Sequence, residues 1–139
     1  MAYEIPHGRS LDTDFMFTKL LVDDLEKAAA FYASVCGLIE MQRVEAEIIG
    51  RKISEIVYLP TYKGGPLFVL AKFKDAPKPA NDEVILGFAA KDLEAFAARV
   101  EAAGGRVLDK SGADNASGFG HIFVADVEGN VLQVSQSQG

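Results

Sequence analysis

The stretch DDLEKAAAFYASVCG, residues 23–37, returns in similar form as KDLEAFAARVEAAGG, residues 91–105. Each copy starts with acidic residues, continues with apolar residues at three- and four-residue steps, and ends in glycine. This pattern predicts an amphipathic helix with a defined start and stop. Asp24 and Asp92 are 68 residues apart, about half of the 139-residue chain. A helical phrase repeated at half-length predicts two copies of one supersecondary unit.

The ends of the first predicted helix are marked by particular residues. Asp23 and Glu26 have the spacing of a capping box, and Gly37 stands where a helix C-terminus favours glycine. The apolar stripes of the two helices are expected to pack in the core. They include Phe31, Tyr32, Cys36 and Phe96.

Strand-like segments surround each predicted helix in the same order. FMFTKLLV precedes the first helix, and LIEMQRVEAEII, GRKISEIVYLP and PLFVLAKF follow it. VILGFAA precedes the second, and RVLDKS, GHIFVADV and NVLQVSQ follow it. Glycine-containing turns separate the strands, so each unit is predicted to be βαβββ. We therefore expect one domain, with a first module at 14–73, a linker at 74–82 and a second module at 83–137.

Composition excludes several classes of protein. The net charge of −6 and the lack of a Lys/Arg cluster argue against a nucleic-acid partner. The sequence contains no run of about eighteen apolar residues, so no membrane span is predicted. The N-terminus lacks the features of a signal peptide. The single cysteine cannot form an internal disulfide. We expect a cytoplasmic protein with no membrane partner.

Three pieces of the chain carry a family resemblance: LLVDDLEKAAAFYASVCGL, ILGFAAKDLEAFAARVEAAGG and FVADVEGNVLQV. In this order and spacing they resemble the vicinal oxygen chelate superfamily, which includes glyoxalase I, bleomycin-resistance proteins, fosfomycin-resistance transferases and extradiol dioxygenases. The last piece looks like the family's D-P-D-G-N turn, with Val127 and Glu128 substituted. The resemblance spans about residues 14–137. It implies an α+β fold in which two βαβββ modules form a curved, partly open eight-stranded barrel, usually in a homodimer.

The resemblance also implies where a divalent metal would bind, and this chain departs from the pattern at every such position. The two family histidines correspond to Phe17 and Ile85, and the two family glutamates to Val69 and Gln133. Divalent metals need imidazole, carboxylate or thiolate donors, which these residues do not offer. We therefore predict no cofactor and a pocket without the standard metal site.

A different register leaves a metal site open as an alternative. It places Glu83 at the second ligand position, with His121 and Gln133 as further weak candidates. Glu83 and Ile85 share strand parity, so both are able to face one cavity. The other interpretation of Glu83 is a solvent-exposed linker residue.

Two titratable residues are candidates for chemistry. His121 begins the strand HIFVADV, where the resemblance implies that positions 121 and 123 face the pocket; the alternative is a histidine bonded to backbone. Lys19 shares parity with Phe17 and would hold an anion or act as a base, unless its ammonium extends to water. Strand residues Tyr58, Phe68 and Phe123 fit either pocket lining or core. The loop 111–120 fits either a cover for a ligand or an ordinary connection.

These observations predict a protein that binds a small organic molecule in a metal-free, partly aromatic pocket shared by a homodimer. The predicted ligand-binding residues are Phe17, Lys19, Val69, Ile85, His121, Phe123 and Gln133. The alternative is a lyase, isomerase or dioxygenase that uses a non-standard metal site or the acid–base residues His121 and Lys19.

Overall fold

The architecture is defined by a computed structural model, which describes residues 8, 16–75, 77, 84–114 and 120–136. The first unit consists of β1 (Phe17–Leu21), α1 (Leu25–Cys36), β2 (Glu40–Ile48), β3 (Arg51–Tyr58) and β4 (Leu67–Phe73). The second unit consists of β5 (Ile85–Ala90), α2 (Leu93–Ala102), β6 (Arg106–Asp109), β7 (His121–Ala125) and β8 (Val131–Gln136). Most of the predicted linker, and Glu83 at the start of the second predicted module, lie outside the described residues.

Each unit folds into a four-stranded mixed sheet. The strand order is β1-β4-β3-β2 in sheet A and β5-β8-β7-β6 in sheet B. In both sheets the first and last strands of the unit pair in parallel, and the remaining pairs are antiparallel. The two sheets therefore repeat one topology, and in the described ranges no strand of sheet A pairs with a strand of sheet B. The α+β prediction is confirmed, and two sheets that do not close on each other agree with the predicted partly open barrel.

Helix ends follow the sequence signals with one correction. Asp24, not Asp23, caps α1, because its carboxylate accepts a hydrogen bond from the Lys27 amide at 3.0 Å. Asp92 caps α2 in the same way. Gly37 terminates α1 with φ of 67°, a left-handed conformation that suits glycine.

One apolar core joins the two units. The core consists of α1, α2 and the helix-covered faces of both sheets. The Tyr32 ring from α1 lies 5.3 Å from Phe68 of β4 and 6.4 Å from Phe88 of β5, so it bridges the sheets. The predicted core residues Phe31 and Phe96 are also buried. Cys36 packs against the same cluster.

A buried polar turn fastens the second unit to the first helix. The carboxylate of Asp126 accepts a hydrogen bond from the Tyr32 hydroxyl at 2.8 Å and two from Asn130 at 2.9 Å. Next to it, the Glu128 carboxylate accepts hydrogen bonds from the backbone amides of Asp23 and Asp24. Negative charge at the positive end of α1 is favourable. The DVEGN turn thus holds the two units together.

Among the described residues, no helix combines the length and apolarity needed to cross a membrane.

Candidate functional site

Each sheet has one face that no helix covers, which we call its open face. On β1, side chains of Phe17, Lys19 and Leu21 share this face, because those of Leu20 and Val22 enter the core. On β5, the open face carries Ile85, Gly87 and Ala89. The open faces therefore lie on the far side of their sheets from the shared core.

Three predicted ligand-binding residues come together on the open face of sheet A. Lys19 and Val69 are direct partners across the β1–β4 pair, and Phe17 lies two residues before Lys19. Val69 is buried, whereas Phe17 is 40% exposed. The Lys19 ammonium lies 5.3 Å from the centre of the Phe17 ring. This group has an apolar floor, an accessible aromatic ring and one cation.

The cation is paired with a residue that the sequence did not single out. Lys19 Nζ donates to Glu55 Oε2 from β3. The Glu55 side chain is only 9% exposed and that of Lys19 is 29% exposed. Lys19 therefore neither extends freely to water nor stands as an isolated charge. The sequence signal for Glu55 is a carboxylate within the apolar run ISEIVYL, although the pairing depends on the register between strands.

The other four predicted ligand-binding residues come together on the open face of sheet B. Gln133 of β8 pairs with Phe123 of β7, and Ile85 begins β5 on the same face. The rings of His121 and Phe123 meet edge to face, with centroids 5.7 Å apart. Ile85 is 60% exposed, while His121, Phe123 and Gln133 are half-buried. This group is mainly apolar and aromatic, with an imidazole and an amide as polar points.

A tight turn holds His121 in place. The His121 amide donates to the Gly112 carbonyl at 3.0 Å, and a β-carbon at Gly112 would lie 2.5 Å from Nε2 of the imidazole. Only glycine fits so close to the ring. The turn is braced by Asp109, which accepts a hydrogen bond from the Ser111 amide at 2.7 Å. Hydrogen bonding from the Ser111 side chain, then from its amide, and to a smaller extent the nearby His121 lower the pKa of the Asp109 carboxyl.

Other candidate side chains are core residues rather than site residues. Tyr58 and Phe68 lie on the helix-covered face of sheet A, so of the three ambiguous aromatic residues only Phe123 is on an open face. Burial raises the pKa of the Tyr58 hydroxyl to about 12, and that hydroxyl has no hydrogen-bond partner among the described residues. Burial also raises the pKa of the Cys36 thiol to about 12, which makes it a poor nucleophile.

The resemblance implies four metal-ligand positions, which in this chain are Phe17, Val69, Ile85 and Gln133. The structure places two on each sheet, and their side chains offer one neutral amide oxygen in total. These residues do not fit a divalent ion. The alternative candidates His121 and Gln133 share the open face of sheet B, but Glu83 lies outside the described residues. No group of three His, Cys, Asp or Glu side chains suited to a metal occurs in the described part of the chain.

A separate open cleft of about 300 Å³ lies at the β2–β3 hairpin. It is lined by Glu45, Ala46, Glu47, Lys52 and Lys74. None of these is a predicted ligand-binding residue.

Comparison with known proteins agrees with this architecture. The sequence model of a family described as "Glyoxalase-like domain" matches residues 17–135. No curated protein sequence matches the chain at a significant level.

Solved structures share the fold. A glyoxalase family protein from Bacillus cereus is 16% identical, with 98% of this chain and 100% of that one aligned at a TM-score of 0.76. A glyoxalase/bleomycin resistance protein from Albidiferax ferrireducens is 25% identical, with 88% and 98% aligned at a TM-score of 0.64. A fosfomycin resistance protein from Listeria monocytogenes is 15% identical, with 92% and 95% aligned at a TM-score of 0.67. The resemblance to the vicinal oxygen chelate superfamily is thereby confirmed, and the chain belongs to the glyoxalase-like domain family.

Proposed function

We propose that this protein binds a small organic molecule in an apolar pocket without a divalent metal, built between two copies of the chain. The observation that carries the proposal is the character of the open faces. Their metal-ligand positions hold Phe, Val, Ile and Gln, and Phe17 and Ile85 keep 40% and 60% of their surface accessible. Pockets for organic ligands are mostly apolar with a few polar groups.

We infer a homodimer from the placement of the predicted ligand-binding residues, which form one group on each open face. One group lies on sheet A and the other on sheet B, and both face away from the core that their sheets share. A two-fold axis places sheet A of one copy opposite sheet B of the other and forms two equal pockets. Each pocket would then contain both Lys19 and His121. Covering the exposed apolar side chains of both faces favours this association.

Similarity to proteins of known ligand classes supports a ligand-binding role. A neighbour from Albidiferax ferrireducens is described as a glyoxalase/bleomycin resistance protein, and one from Listeria monocytogenes as a fosfomycin resistance protein. The small-molecule class therefore extends to this chain as part of the proposal.

A pair of matched isoleucine variants tests the proposed pocket. The probe is 8-anilino-1-naphthalenesulfonate, whose fluorescence rises on apolar protein surfaces. Ile85→Asp alters the open face of sheet B, whereas Ile49→Asp alters an isoleucine that is 96% exposed at the β2–β3 hairpin tip. We expect Ile85→Asp to weaken saturable probe binding at least about tenfold and Ile49→Asp to leave it unchanged. Equal effects of the two variants, or no saturable binding, would contradict the proposal.

A second candidate function, a metal-free isomerase or lyase, is favoured by the contact between Lys19 and Glu55. A buried carboxylate next to an ammonium is able to accept and return a proton. The test is exchange of carbonyl-adjacent protons of a bound ligand with D₂O, followed by NMR. Protein-dependent exchange that Glu55→Gln abolishes would support catalysis, and its absence would leave binding as the function.

A further inference from the structure

The Lys19–Glu55 pair is a partly buried ion pair on the face of sheet A that no helix covers. Glu55 is buried on the open face of sheet A, away from the helices, and its neighbours across the sheet are Ala71 and Val44. Burying an ion pair costs desolvation, and apolar residues of similar volume usually stabilise a protein at least as well. A role in recognising a ligand accounts for the pair better than a role in stability does.

The pair has hydrogen-bonding capacity left over. Lys19 has three N–H donors, of which one is directed to Glu55 Oε2. Glu55 Oε1 accepts no hydrogen bond from another described residue. A donor and an acceptor thus lie side by side, with the Lys19 side chain 29% exposed and the Glu55 side chain 9% exposed.

The charge of the pair limits which ligand group fits there. Because the ammonium and the carboxylate cancel, the site has little net attraction for a free anion such as phosphate or for a free cation. A neutral group that both donates and accepts satisfies both partners at once. A hydroxyl is the smallest such group.

The surroundings of the pair favour an aromatic carrier for that hydroxyl. The Phe17 ring adjoins the Lys19 ammonium and is 40% exposed, and Val69 lies across from Lys19 in the sheet. Aromatic ligands gain area burial and ring contacts on such a surface. A phenolic hydroxyl is neutral near pH 7, since its pKa is about 10.

We infer that the Lys19–Glu55 pair binds the hydroxyl of a hydroxylated aromatic ring. The hydroxyl donates a hydrogen bond to Glu55 and accepts one from Lys19, and the aromatic ring packs against Phe17. This inference rests on the proposed function, and it names the ligand class and assigns Glu55 to the site.

Three probes of similar size test the inference: phenol, anisole and cyclohexanol, each titrated into ¹⁵N-labelled protein and followed by amide NMR shifts in β1 and β4. We expect phenol to bind more tightly than anisole, which cannot donate, and than cyclohexanol, which has no aromatic ring. Glu55→Gln should weaken phenol binding about tenfold or more while leaving anisole unchanged. Glu45→Gln, which alters an exposed carboxylate paired with Lys74, should change neither.

A double variant provides a second test in case Glu55→Gln does not fold. Lys19→Met with Glu55→Leu replaces both charges by apolar groups, so the fold is expected to persist. It should bind phenol and anisole equally.

Equal affinities of wild-type protein for phenol and anisole would overturn the inference, as would an unchanged phenol preference in either variant. The proposed function would survive that result if the naphthalene probe still distinguished Ile85→Asp from Ile49→Asp. Absence of binding by all probes would overturn both.

Discussion

Removing the Asp126 carboxylate should destabilise the protein by separating its two units. Asp126 is 4% exposed and accepts hydrogen bonds from the Tyr32 hydroxyl, the amides of Glu128 and Asn130, and the Asn130 side chain. Asp126→Ala removes the acceptor of all four of these hydrogen bonds. A buried donor without a partner costs about 1–3 kcal/mol, and hydrogen bonds to charged groups are the stronger ones.

Two of the donors, the Tyr32 hydroxyl and the Asn130 side chain, belong to residues that are almost fully buried. We therefore expect Asp126→Ala to lower the free energy of unfolding by about 3–5 kcal/mol. Tyr32→Phe keeps the ring between Phe68 and Phe88 and removes a single hydrogen bond, so its cost should be about 2 kcal/mol. The two changes share one interaction, so the double variant should cost about 1–3 kcal/mol less than the sum of the single variants.

The assay is urea unfolding at two protein concentrations, which separates folding from dimer formation. Asp109→Ala is the control, because Asp109 is exposed and its hydrogen bonds are to the neighbouring Ser111, and it should cost no more than about 1 kcal/mol. Additive single variants, or a Tyr32→Phe effect below about 0.5 kcal/mol, would refute the role of the DVEGN turn as a connection between units.

Three smaller predictions concern single positions. Burial raises the pKa of the Cys36 thiol to about 12. The thiol should therefore react with a disulfide reagent at pH 8 about a thousandfold more slowly in the folded protein than in the denatured protein. A rapid reaction in the folded state would contradict its burial. Ile49 has φ of 49°, which strains a β-branched residue, so Ile49→Asn before Gly50 should raise the free energy of unfolding by about 1 kcal/mol in urea melts, and a loss of stability would contradict that strain. Gly112→Ala should displace the His121 imidazole and shift its ring NMR signals, and unchanged signals would show that the close contact is wrong.

Local sequence signals predicted the elements well because helices and strands depend on periodicity and on glycine. Gly37 ended α1 as expected, and the parity of Phe17 and Lys19 placed both on one open face. The capping residue was wrong by one position. Asp23 and Asp24 both carry a carboxylate that is able to cap a helix. Where Asp24 is the cap, the backbone amide of Asp23 donates to Glu128, which is 105 residues away in the sequence.

The candidate site was less predictable because its features depend on contacts between distant segments. Glu55 meets Lys19 through the pairing of both β1 and β3 with β4, a register that no spacing in the sequence specifies. The close approach of Gly112 to His121 depends on a turn packed against a strand. That both groups of predicted ligand-binding residues face away from the shared core depends on how the two units pack, which a repeat alone does not determine.

The most direct test of a pocket shared between two copies is the binding stoichiometry of mixed dimers. Phe17→Asp removes the sheet A half of each pocket and Ile85→Asp the sheet B half, so neither variant alone should bind the naphthalene probe. After both variants are unfolded together in equal amounts and refolded, half of the dimers should be mixed, and each mixed dimer has one intact pocket. We expect about a quarter of wild-type binding capacity to return, as measured by calorimetric titration. No recovery, with mixed dimers shown to be present, would contradict a pocket built from two chains.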